Sequence, residues 1–358
     1  MSLGFEQAGF NVAAAFDIEP INVEIHGRNH PGCRTLPEDV TKLSGKKIRS
    51  LSGLGNRRID VLFGGPPCQG FSEIGKGDVD DPRNLLLLDF ARLVAELRPS
   101  YFVIENVEGI LFNRTSATLQ NCLDRIDRAG YSIVTPIRAI NASNFGVPQN
   151  RKRVFIIGAR KGMRLPDYPA PITSAGPHGS PDGVTVWDAI GDLPDIDRHP
   201  ELLWSDVYCG ALGKPSHYAQ ILRGELRDPD DRSKERHHEG GGLTGCMRVL
   251  HRLETIRRFE KTGPGTCERK SRLYRLSKEG VSRALRAGTL PAQGSFTAAR
   301  PIHPIRPRCI SVREGARLHS FPDWYVFHPT KWHGFRQVGN AVPPLLARSV
   351  AREIHRHI

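Results

Sequence analysis

The chain has 358 residues, 39% of them hydrophobic, enough to bury the core of one large domain or two smaller ones. Lys and Arg number 51 against 38 Asp and Glu, a formal net charge of +13. No run of about 18 apolar residues occurs and the opening "MSLGFEQAGF" lacks a signal peptide's basic and apolar regions, so neither a membrane span nor secretion is expected.

In chain order, "NVAAAF", "IDVLF", "YFVIEN" and "RVFIIGA" are short apolar runs rich in β-branched or aromatic residues and read as buried strands. "RNLLLLDFARLVAELRP" lies between two of them and reads as a helix ending before Pro99. Strands alternating with helices predict an α/β fold with a mostly parallel sheet. From about residue 165 the texture changes: Pro, Gly, His and Arg become frequent and periodicity fades, as in "PITSAGPHGSPDG" and "RHHEGGGLTG". Order returns after 309, where "VREGARLHSF" and "PPLLARSVAREIHRHI" read as helices. The division expected is therefore 1–165, an irregular region 166–308, and a C-terminal segment 309–358 that returns to the first domain. No internal repeat is visible.

The positive charge is concentrated. Residues 251–308 hold 14 Lys/Arg and 4 Asp/Glu, an excess of +10 that favours a polyanionic partner. The seven cysteines (33, 68, 122, 209, 246, 267 and 309) contain no C-x-x-C pair, so the sequence offers neither a disulfide framework nor a metal site, and a cytoplasmic setting fits.

Ligands of such sheets collect at the carboxyl ends of strands, and polar residues fall there: Asp17 and Glu19, Cys68, Glu105 and Asn106. An acid ending the second strand binds ribose hydroxyls of a nucleotide-like cofactor, about 20 residues after a Gly-rich loop. Counting back from Asp17 and Glu19 places that loop before residue 1. The internal "GLGNRR" lacks a third glycine and precedes a strand. Cys68 stands in "GGPPCQGFS", where prolines stiffen one side and Gly70 permits close approach on the other, a setting that positions a thiol rather than packs it.

"GGPPCQGFS", "ENV", "QNRKRVFIIG" and "QVGNAVPPLLA", in that order, resemble the DNA (cytosine-5) methyltransferases. "GFEQAGF", "DPRNLLL", "TVWDAIGDLP" and "RPRCISVREGARLHSFPD" extend the likeness over nearly the whole chain. The resemblance implies a Rossmann-like catalytic domain, a target-recognition domain that coincides with the basic middle region, S-adenosyl-L-methionine as cofactor, and double-stranded DNA as substrate. It implies that Cys68 adds to C6 of a flipped-out cytosine and that Glu105 hydrogen-bonds or protonates N3. It further assigns Asn106 to support the Cys68 loop, Gln69, Phe71 and Ser72 to a loop that closes over the base, and Arg153 and Arg151 to the catalytic face, with Arg151 near Cys68 or a phosphate. For the cofactor it implies Asp17, Ile18, Asp39, Val40, Gly65, Pro66 and Leu86, with Asn340 and Val342 closing the pocket. No metal is implied.

The family begins with a Phe-x-Gly-x-Gly block before "LGFEQAGF", so the resemblance implies an N-terminal truncation. A late-assigned start, a second polypeptide supplying the block, and a weak or inactive relic are the competing explanations. A restriction–modification setting with a cognate endonuclease is expected. Two alternatives stand beside the DNA enzyme: a DNA-binding fragment without methyl transfer, and the same chemistry on RNA. Trp204, Tyr208, His217 and Tyr218 read as packing rather than base-contacting residues.

Overall fold

The computed structural model describes residues 1–66, 85–111, 116–173, 183–236, 241–288 and 300–358. The first region contains α1 (Ser2–Gln7), β1 (Ala14–Asp17), α2 (Pro20–Asn29), β2 (Arg34–Pro37), α3 (Gly45–Ser52) and β3 (Val61–Gly64). After them come α4 (Leu85–Leu97), β4 (Tyr101–Asn106), α5 (Ser116–Arg128), β5 (Tyr131–Ile133), β6 (Arg138–Asn141), β7 (Gln149–Asn150) and β8 (Lys152–Arg160). The middle holds α6 (Val186–Ile190), α7 (His217–Arg223), α8 (Leu253–Glu260) and β9 (Ser282–Arg283), and the chain ends with α9 (Val312–Leu318), α10 (Lys331–Asn340) and α11 (Pro344–His355).

β4 is the centre of the main sheet. Its side chains alternate across the strand. Tyr101 and Val103 join Phe5, Phe155, Ile157 and Val350 on one face; Phe102 and Ile104 join Leu87, Val94, Ile126 and Ile156 on the other. Helices α1 and α11 cover the first face and α4 and α5 the second, giving three layers. The α4 residues Leu87, Phe90, Ala91, Val94 and Leu97 are buried at spacings of three and four, which is why this run is a helix against the sheet. The Leu, Phe and Val side chains among them, when fully buried, each contribute about 1.5–3 kcal/mol. α1 and α11 touch so closely that a Cβ on Gly4 would lie 2.5 Å from that of Ala347.

The α/β class and the four apolar strands are where the sequence places them. β1 pairs in parallel with β2, and β3 with β4. β8 is antiparallel to β4, β5 and β6. Short connections without a crossover helix join β5, β6 and β8, and antiparallel pairing is the kind such connections reach.

The C-terminal segment does not return as one piece. α9 and α10 pack with α6 and α7 around Tyr218, Leu276, Ile310, Phe321 and Phe335. Only α11 lies on the sheet. Helix α9 is buried along its whole length, charges included. Arg317 donates to both carboxylate oxygens of Asp323 at 2.6 Å and to Asp192 at 3.3 Å, while Arg308 makes two 2.8 Å bonds to Glu314. These pairings satisfy charges that could not otherwise be buried.

Candidate active site

The carboxyl end of β4 supplies Glu105 and Asn106. In the antiparallel ladder Glu105 faces Phe155, so Arg153, two residues away on β8, projects from the same face as a diagonal neighbour. The long side chains close that gap: Arg153 Nε lies 2.9 Å from Glu105 Oε1. Both side chains are largely buried (15% and 13% exposed), and burial lowers the pKa of the Arg153 guanidinium against the opposing pull of Glu105. The other carboxylate oxygen sits against Gly65; a Cβ there would be 2.9 Å from Glu105 Oε2.

Asn106 ties β4 to the segment after β3. Its Nδ2 donates to the Pro66 carbonyl (3.2 Å) and its Oδ1 accepts from Val107 N (2.9 Å). Pro66 is two residues before Cys68. Cys68, Gln69, Phe71 and Ser72 lie outside the described residues.

Arg151 stands between β7 and β8, within electrostatic reach of Arg153 and Glu105. It is fully buried and donates to the carbonyls of Leu285 (2.8 Å), Gly339 (2.8 Å) and Ala341 (3.0 Å). Gln149 and His319 complete this clasp. Gln149 bonds Leu285 N, the Leu318 carbonyl and His319 Nδ1, and His319 Nε2 bonds the Ala341 carbonyl. Both residues stand inside the motif blocks, which were the only sign of their role. The Val342 side chain is buried in the core against α1 and α11. Asn340 ends α10 and is exposed.

The sequence matches the family described as C-5 cytosine-specific DNA methylase over residues 1–356. The chain belongs to that family. This methylase is 47% identical over 354 residues to the Type II methyltransferase M.XorII of Xanthomonas oryzae pv. oryzae, covering 99% of this chain and 81% of the relative. It is 32% identical over 413 residues to the Type II methyltransferase M.AgeI of Thalassovita gelatinovora, covering 98% and 95%. Among solved structures, an Escherichia coli prophage protein described as a DNA modification methyltransferase superposes with a TM-score of 0.80 at 32% identity, over 99% of this chain and 95% of that one. The methylase transfers a methyl group from S-adenosyl-L-methionine to C5 of cytosine in DNA. The match from residue 1 gives no support to an incomplete first block or to a second polypeptide completing it.

The residues expected to hold the cofactor stand at or after the carboxyl ends of β1, β2 and β3, with Leu86 in the first turn of α4. Asp17 is exposed and accepts from Glu19 N (2.8 Å) and Asn22 Nδ2 (3.2 Å), which aims the carboxylate while leaving it lone pairs. Ile18 is 65% exposed beside it, a large apolar surface suited to the face of a purine. Asp39 accepts from Thr41 N and Oγ1, and these bonds hold its pKa below the ordinary value; Val40 packs against Leu43 and Leu93. A carboxylate, an exposed aliphatic side chain and a strand-end glycine suit the ribose and adenine of S-adenosyl-L-methionine.

In the middle region the four aromatic candidates divide. Tyr208 and Tyr218 pack, with their hydroxyls donating to the Ala211 and Arg317 carbonyls. Trp204 and His217 do not; Trp204 is 80% exposed. No described helix is long and apolar enough to cross a membrane.

Proposed function

We propose that this methylase acts through Cys68 on a cytosine flipped out of duplex DNA. The Cys68 thiolate adds to C6, forming a C–S bond and moving the ring's electron pair toward C5. Glu105 donates a hydrogen bond or a proton to N3 and so stabilises the charge that develops on the ring. Arg153 holds the Glu105 carboxyl at its station, and Asn106 anchors the start of the Cys68 loop. When bound, S-adenosyl-L-methionine supplies the methyl group that C5 takes up. Loss of the C5 proton and expulsion of the Cys68 thiolate restore aromaticity. Asp17 would hold the ribose hydroxyls, Ile18 the adenine, and the segment Gly65–Pro66 the methionine end.

The observation that carries this reading is the Glu105–Arg153 pair seated against Gly65, which directly precedes the "PPCQG" sequence. The test uses duplex oligonucleotides carrying 5-fluorocytosine at the target, with methyl donor. The fluorine blocks the final proton loss, so a covalent complex through residue 68 is expected with the natural chain and none with Cys68→Ser. Normal turnover by Cys68→Ser would overturn the assignment. The Type II names of the relatives support a restriction–modification setting, in which a cognate endonuclease would act on the same DNA sequence.

A further inference from the structure

The segment 202–208 runs beside 243–248: Tyr208 and Leu243 form an antiparallel bridge, and Arg248 N donates to the Leu202 carbonyl at 2.8 Å. Lys331, the first residue of α10, donates its Nζ to the Arg248 carbonyl at 2.9 Å, which brings α10 against this pair. One turn further along α10 lies Phe335, with the Arg300 guanidinium 5.9 Å from its ring centroid. Arg300 and Lys331 therefore lie near one another, with the Arg248 main chain beside them. Among the described residues Arg248, Arg300 and Lys331, all half-buried, form no ion pair, whereas the buried Arg308 and Arg317 do. Arg300 Nε and Nη1 and Arg248 Nε are buried without a hydrogen-bond partner.

Mutual charge sharpens the conflict. Burial and the neighbouring Arg300 lower the pKa of Lys331. His251 sits in the same cluster; burial, then Arg300, Lys331 and Arg308, lower its pKa to about 4, so it is neutral near pH 7 and accepts from Cys309 N at 3.1 Å. Buried N–H donors without acceptors and like charges without a counter-ion both cost free energy, and one anion relieves both. The surroundings point to which anion. Trp204, Leu250 and Leu253, 80%, 65% and 72% exposed, flank the cluster along these segments, at the edge of the basic run 251–308. Exposed apolar side chains beside phosphate-sized cation clusters suit a nucleic acid backbone better than a free ion.

We propose that Arg300 and Lys331, beside the Arg248 main chain, form a pocket that takes a backbone phosphate of the DNA substrate and sets the duplex against the Trp204 face. This deepens the DNA methyltransferase reading and rests on it. The pocket orients the duplex without reading its sequence, because phosphate contacts position rather than specify.

The test uses the full chain and unmethylated duplex DNA, with affinity followed between about 50 and 200 mM KCl. Lys331→Gln and Arg300→Gln should each reduce the slope of log affinity against log salt by about 0.9, and weaken binding about equally on every sequence. Lys331→Arg should keep the wild-type slope. Lys161→Gln, which removes an exposed cation at the far end of β8, should leave affinity unchanged. Should Arg300→Gln lower the melting temperature, Lys331→Gln decides alone. Unchanged slopes in Lys331→Gln and Arg300→Gln, with a wild-type protein that binds DNA and transfers methyl groups, would overturn the pocket and leave the activity standing. A wild-type protein that binds no duplex DNA would instead sink the substrate reading itself.

Discussion

Arg151→Met separates a positioning role from a catalytic one. The substitution removes three N–H donors and leaves the carbonyls of Leu285 and Gly339 without that partner, while the Ala341 carbonyl keeps only His319 Nε2. Each buried carbonyl so orphaned costs about 1–3 kcal/mol. The loss is partly offset because a fully buried guanidinium, its pKa pushed well down by that burial, no longer has to be desolvated. The net cost is about 3–5 kcal/mol, a large part of the roughly 5–15 kcal/mol that holds a folded protein together. With an unfolding entropy of about 2.1 cal/mol/K per residue, the chain loses about 4–7 °C in Tm if it melts as one unit. Thermal melts followed by circular dichroism measure this, alongside methyl transfer at about 20 °C. Arg151→Lys should recover part of the loss, since an ammonium reaches one or two of the three carbonyls. A native Tm combined with abolished methyl transfer would show that Arg151 touches the reacting groups and would refute the clasp.

Gly65→Ala tests how tightly Glu105 must be placed. The new methyl group, 2.9 Å from Oε2, pushes the carboxylate out of its 2.9 Å pair with Arg153. Methyl transfer should fall on the order of 10-fold, about 1.4 kcal/mol of barrier, while Tm moves by less than about 2 °C; wild-type turnover would mean that the pair does not limit the reaction. Acid should weaken the fold in two stages. Burial lowers the pKa of His251 and His303 to about 4, so the unfolded chain takes up their protons first and stability falls from pH 6.5 toward 4. Burial would raise the Glu314 pKa, but Arg308 outweighs it and brings it to about 2, so its contribution is complete above about pH 4.5 and is lost from there down to 2. Urea midpoints at pH 7.5, 5.5 and 4.5 should therefore fall in that order, and a flat profile would contradict the burial of these groups as neutral imidazoles.

Periodicity and strand composition were sufficient to announce the α/β class, because a buried strand or an amphipathic helix writes its burial into consecutive residues: "YFVIEN" and the α4 run are read without any partner in view. The ordered motif blocks likewise named the family and the residues at the strand ends, since a backbone that turns from strand to loop carries its glycines, prolines and acids locally. What the chain alone could not say is where a side chain points once several segments meet. Arg151 and Arg153 look equivalent in "QNRKRV", yet one spends its donors on carbonyls from residues 285, 339 and 341 and the other holds Glu105. Val342 sits inside a motif but faces the core, and Trp204 looks like a packing residue yet stands in solvent. Each of these outcomes depends on contacts between residues tens to hundreds of positions apart, and such contacts leave no periodic trace in either segment taken singly.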